Sequence, residues 1–327
     1  MPWNKQGPWS PGPGGGSGGA LPPNAVSGLA LWLRADQGIA FGGMAPFVHN
    51  TGTGPLITST GTPVATVKSI EVSILAGGAV GTATFLWSLN GVSQGSLTTA
   101  ASVALGSTGV TLQFPAGTYT GSDDYTSVPC VSSWTSIDGS ATVFSQVTRA
   151  NMPAYIAAGL SLTGWASGPN GQAALFFTLA SSQAMTATLA ATVPQPYSMG
   201  IVCKMPVAAS ALEYVFSSAS GLLVYVTAPG IIEGSSDGVT VLGIGGFDQT
   251  KTFFFSITCN GASSRLPMGG GVMGNTGVNA SGTALTLGGV ATAYYGGFIS
   301  EVMLWGANLT ASQAGGIEQY AAARYAL

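Results

Sequence analysis

The sequence predicts an all-β antiparallel sandwich that closes in one short helix. Three observations predict it. Short apolar runs bounded by Gly, Pro, Asn or Ser recur every ten or so residues from Met152 onward. Polar/apolar alternation at residues 69–74, continued at 82–88, marks both as half-buried strands. Helical spacing of apolar residues appears only after Thr310.

Taken in chain order, residues 1–23 are Gly, Pro and Ser punctuated by Trp3 and Trp9, a composition that cannot bury enough surface to fold alone. They read as a docking arm whose two tryptophans anchor it on a neighbouring surface, since aromatics in a glycine background are efficient contact points. Residues 29–33 are almost wholly apolar and read as a buried strand. Residues 51–128 form a compact β-module: strands at 69–74 and 82–88, a tight turn at Asn90-Gly91, and further strands and a turn over 108–114 and 116–119. The next strands are expected at 197–205, 213–217, 221–227, 239–243, 252–260 and 285–289, with a hairpin turn at Asn260-Gly261. A last buried strand covers 298–305. Thr310 then caps a helix on which Ile317, Tyr320, Ala321 and Arg324 recur at helical spacing. Arg34 ends the first strand and Glu301 opens the last, so an Arg34–Glu301 contact is expected to join them. A surface pair of that kind contributes about 0–1 kcal/mol.

Charge is the anomaly in the composition. Hydrophobic residues make up 46% of the 327 positions and mean hydropathy is +0.41, ample for a core. Only 6% are Asp, Glu, Lys or Arg, against about a quarter in an ordinary soluble domain. Such a surface is weakly protected against association, which favours burial in a symmetric assembly. A net charge of −3 supplies no basic stripe for phosphates, so nucleic-acid binding is not expected. No apolar run is long enough to span a bilayer, and no charged n-region precedes an apolar stretch, so neither membrane insertion nor a signal peptide is expected. Cys130, Cys203 and Cys259 form no CxxC pair and read as buried reduced thiols.

The two ends carry a family resemblance. Gly28-Leu29, Leu31-Trp32-Leu33, Ala35-Asp36 and Gly38 at the start, with Ile299, Glu301-Val302, Leu304 and then Ile317-Glu318, Tyr320, Ala322 and Arg324-Tyr325 at the finish, resemble the LamG-like, concanavalin A-type jelly rolls of tailed-bacteriophage virion proteins. Trp134, residues 146–155 and residues 170–177 are similar to a third block of that family. The resemblance implies one jelly roll built from 24–50 and 129–327 and interrupted by 51–128. That insert itself resembles a small β-module of phage tail and virion proteins at Gly77-Gly78, residues 81–87, Thr108-Gly109 and residues 114–119. It departs from the pattern at 121–125, with one extra residue before Tyr125. The family implies a virion protein, assembled in the host cytoplasm and released by lysis, whose partners are other virion proteins, copies of itself and a host-surface glycan.

Few residues are left for chemistry. His49 is the only histidine, lies beside Asn50 in an expected loop and has no nucleophile elbow nearby. A zinc site would need more His or Cys ligands, and Asp123, Asp124 and Asp237 are too sparse for calcium, so no metal or cofactor is assigned. Concanavalin-type glucanases place paired carboxylates on one cleft. Glu213, Glu233, Asp237 and Asp248 lack their E-x-D-x-x-E pattern, and Glu233 with Asp237 falls in a Gly/Ser-rich stretch that reads as a turn. The chain is therefore expected not to be an enzyme, with a glycan-degrading enzyme as one alternative and a carbohydrate-binding module as another. For the module, Trp165, Tyr294 and Tyr295 are the candidate glycan contacts, being aromatics in loop-like, glycine-rich settings. Placement on a capsid decoration, head fibre, tail fibre or baseplate stays open.

Overall fold

The computed structural model describes residues 19–327, except 207–208, 210, 229, 240, 246–247, 267–271 and 291–292. The chain is all-β, with large antiparallel sheets and one C-terminal helix. It divides into two compact units. Among the described residues the first comprises 19–38, Trp134–Ser145 and Phe177–Leu327, and the second Ile39–Ser133 and Gln146–Phe176. Residues 51–128 thus fall within a second unit that is wider than the module alone.

The first unit opens with β1 (Leu29–Arg34). The second contributes β2 (Val48–Thr51), β3 (Ile70–Ala76), β4 (Thr84–Leu89), β5 (Val92–Thr98) and β6 (Asp124–Ser127). Back in the first unit follow β7 (Val143–Ser145), β8 (Met185–Thr188), β9 (Tyr197–Lys204), β10 (Glu213–Ser218), β11 (Leu223–Ala228) and β12 (Ile231–Ser235). The chain finishes with β13 (Val241–Gly245), β14 (Phe253–Cys259), β15 (Ala284–Leu287), β16 (Gly297–Trp305) and α1 (Ala311–Tyr325).

In the second unit a five-stranded sheet runs β2-β6-β3-β4-β5, and a three-stranded sheet joins Thr58–Thr60, Thr111–Gln113 and Ser102–Ala104. The alternation read at 69–74 is realised as Ile70, Val72 and Ile74 turning inward. With Phe85, Trp87, Leu112, Phe114 and Tyr119 they build one apolar core. Asn90 and Gly91 both adopt left-handed φ, 55° and 77°, the hairpin geometry that joins β4 to β5. β5 is the sheet edge, and all seven of its residues are exposed.

In the first unit the last strand sits beside the first. β16 pairs with β1 on one side and β9 on the other, and β9 pairs with β14. Every residue of β16 is buried, which is why it is apolar without alternation. One face of this sheet carries Trp32, Val202, Phe254, Met303 and Trp305, onto which α1 packs Ala314, Ile317, Ala321 and Tyr325. The helix begins as expected: Thr310 accepts from the Gln313 amide while the Gln313 side chain accepts from Thr310, a full capping box.

A second sheet runs β7-β8-β15-β10-β11-β12-β13. Its inner face meets β14 so closely that a Cβ on Gly234 would lie 2.5 Å from Ile257 Cδ1. The two sheets therefore share an interior, as a sandwich requires.

The expected Arg34–Glu301 ion pair does not form, although the two residues are register partners between β1 and β16. Arg34 Nε reaches Asp36 at 2.7 Å instead. Glu301 is fully buried and turns to α1 and Trp32: it accepts from Trp32 Nε1 (2.6 Å), Tyr325 OH (2.7 Å) and Tyr320 OH (3.0 Å). A surface reading failed here because the helix covers that face. Cys130, Cys203 and Cys259 are buried free thiols, and burial pushes Cys259 up to about 11.

Candidate functional site

Trp3 and Trp9 lie outside the described residues. The aromatics singled out for glycan contact separate into three different situations. Trp165, in the second unit, is half-buried and its Nε1 is 3.4 Å from the Thr126 carbonyl. Tyr294, in the first unit, is half-buried on a short hairpin that pairs Gly289 with Tyr294. Tyr295 is corrected: its exposure is 0%, its ring packs 6.4 Å from Phe177, and its hydroxyl donates to the carbonyls of Lys204 and Phe298. Adjacent glycines made Tyr295 look like a loop residue, but they let the backbone close over its ring.

His49 is also corrected, being on β2 rather than in a loop. Its ring stacks on Tyr125 at 4.4 Å and its Nε2 lies 3.3 Å from Asp123 Oδ1. Asp123 accepts from the amides of Thr53, Gly54 and Thr120 at 2.6–2.8 Å. Burial alone would raise that carboxyl, yet the amides of Thr120, Gly54 and Thr53 hold it below the usual carboxylate range. Its lone pairs are spent on fastening the loop at residues 53–54 and the turn at Thr120, both within the module. Among the described residues no group of three or more His, Cys, Asp or Glu could hold a metal.

The richest constellation lies on the outer, partly exposed face of the second sheet of the first unit, where Tyr214 and Glu233 are half-buried and Tyr225 is buried. Glu233, expected in a turn, stands instead in the middle of β12; the turn comes later, where Asp237 accepts from the Val239 amide at 2.9 Å. Register places Tyr214 on β10 opposite Tyr225 on β11, Tyr225 opposite Glu233 on β12, and Glu233 opposite Gly243 on β13. These four residues form a row across adjacent strands, on the face that also shows Thr186 and Val241 to solvent. The tyrosine rings are 5.4 Å apart, tilted by 49°. Burial first, and then Glu233, push the Tyr225 phenol up to about 12, so it stays a protonated donor. Gly243 makes room for the half-buried Glu233 side chain, since a Cβ there would lie 2.9 Å from Glu233 Cγ.

Glu213 has the opposite parity on β10, opposite Val226, and is buried. Burial raises its carboxyl, although the Gly296 amide donates to it at 2.8 Å. Glu213 and Glu233 therefore occupy opposite faces of one sheet. The spacing 214, 225 and 233 matches no sequence motif, and the only signal was strand alternation, which put each of the three on the same parity once paired.

No protein-family model and no curated protein sequence matches the chain. Solved structures do. A Trypanosoma rangeli sialidase in complex with the inhibitor DANA matches at 9% identity and TM-score 0.41, over 57% of this chain and 31% of that one. An arabinofuranosidase complexed with arabinofuranosyl-alpha-1,2-xylobiose matches at 10% identity and TM-score 0.40, over 64% and 57%. The binding domain of botulinum neurotoxin serotype G matches at 11% identity and TM-score 0.38, over 57% and 48%. The chain spans less than two thirds of the length of each. Sialidases and an arabinofuranosidase stand among these matches, so the expectation that the chain is not an enzyme is withdrawn. At such identities and TM-scores the likeness supports no particular activity or substrate for this chain.

Proposed function

We propose that the chain is a surface protein of a tailed-bacteriophage particle, working in assembly and in attachment to a host-surface glycan. The observation that carries this reading is how little charge the surface retains. Eleven acids and eight bases serve 327 residues, and Asp123, Glu213 and Glu301 are buried. The edge strand β5 exposes seven residues, none of them charged and none a proline, although edge strands of lone domains are ordinarily guarded by such residues. A surface of this kind is suited to being covered by neighbours in a multi-copy assembly. The resemblance of the two chain ends to phage jelly rolls supports the same reading, as does that of the module.

The test is a reconstruction of purified particles together with a variant lacking residues 1–23. Ordered copies of the protein on the particle, lost in the shortened variant, are the expected result. A protein absent from intact particles overturns the proposal.

A further inference from the structure

We propose that the outer face of the second sheet in the first unit is a binding site for an uncharged sugar, centred on Tyr214 and Glu233 with Tyr225 packed between them. It deepens the attachment reading by naming the surface and the class of glycan.

The argument begins with charge. The seven strands β7, β8, β15 and β10–β13 contain no Lys, Arg or His. On their open face the one ionisable carboxylate is Glu233, since Glu213 points the other way. On these strands an anionic sugar would meet a negative group and no cation to pair with. A neutral pyranose meets what it needs. Its hydroxyls are donors, and a carboxylate accepts from two of them at once. Its C–H face is apolar and packs on an aromatic ring, for which half-exposed Tyr214 is available beside Tyr225.

Spacing fits as well. Neighbouring strands lie about 4.8 Å apart, so the strands bearing Tyr214 and Glu233 are separated by roughly 10 Å, the length of about two linked sugar rings. Gly243 continues the row as an exposed position without a side chain, across which the half-buried Glu233 side chain lies. Tyr225 is the register partner of Glu233 on the neighbouring strand, and its phenol, pushed up to about 12, adds no second negative charge. A small hairpin packs beside β10, with Ser217 Oγ donating to the Gly289 carbonyl, and gives the face a wall on that side.

The test uses the purified full chain on an array of neutral hexose and pentose oligosaccharides printed beside sialylated and uronate-bearing ones. Titration calorimetry with the best-bound oligosaccharide follows. Binding to neutral members alone is expected. Tyr214→Ala should weaken it at least about tenfold, the loss of one aromatic contact. Tyr214→Phe, which keeps the ring, should bind as the wild type does, and Glu233→Gln should weaken binding with no loss of fold. No neutral oligosaccharide bound, an anionic one preferred, or Tyr214→Ala and Glu233→Gln both binding like the wild type overturns the proposal. Because the readout is the isolated protein, such a failure leaves placement on a particle standing, and absence from particles leaves the sugar site standing.

Discussion

Glu301 in the first unit and Asp123 in the second are both enclosed acids, satisfied by opposite means. Glu301 is held by side chains: the Trp32 indole from β1 and the Tyr320 and Tyr325 hydroxyls from α1, with Arg324 Nε at 3.8 Å. Asp123 is held by backbone amides of Thr53, Gly54 and Thr120. Burial dominates at Glu301 and raises its carboxyl despite those donors. At Asp123 the amides win and the carboxyl is lowered. The difference teaches that fixed backbone dipoles aimed at a carboxylate stabilise its charge, whereas neutral side-chain donors drawn from distant strands and a helix satisfy it without recovering its desolvation.

The comparison can be broken most directly at Glu301. Glu301→Ala leaves an indole and two phenols facing a buried void, and an expected loss of about 3–5 kcal/mol should appear in equilibrium urea unfolding. Asp123→Ala strands three amides in a shorter, partly solvated loop, with an expected loss of about 2–3 kcal/mol in the same measurement. A larger loss at Asp123 than at Glu301 would reverse the ranking.

Stability against pH sharpens the contrast. A carboxyl raised by folding stabilises below its unfolded value, about 4.3 for Glu, and that contribution is lost as pH rises through the folded value. A lowered one stabilises above its unfolded value, about 3.9 for Asp, and that contribution is lost as pH falls through the folded value. Glu301→Gln should therefore flatten the decline in stability above about pH 4.3, and Asp123→Asn the decline on the acid side. Unfolding midpoints across that range distinguish the two, and interchange of the two limbs would refute the assignment. The smallest effect is at the helix cap. Thr310→Ala should cost about 1 kcal/mol, and because α1 carries two of the Glu301 donors, a double-mutant cycle should couple it to Glu301→Gln and not to Asp123→Asn.

Local pattern made much of the fold legible. The strands expected at 197–205, 213–217 and 252–260 appear as Tyr197–Lys204, Glu213–Ser218 and Phe253–Cys259, because alternation and β-branched content act within a few residues. The Asn90-Gly91 turn and the Thr310 cap are local for the same reason. β12 was misread because Gly234-Ser235-Ser236-Asp237-Gly238 has turn composition, although pairing with β11 and β13 draws its first half into the sheet. The candidate site was less legible than the fold. Tyr295 looked exposed, and Tyr214 and Tyr225 carried no distinguishing neighbour.

By itself the sequence determined the β-rich class, the single terminal helix, the free buried thiols and a surface poor in charge, all of which follow from composition and short-range periodicity. Only the tertiary structure decided which residues meet. Trp32 and Glu301 are 269 positions apart, and Tyr214 and Glu233 are separated by a whole intervening strand. Strand register and helix docking bring such groups together, and neither is written in the few residues around any one of them.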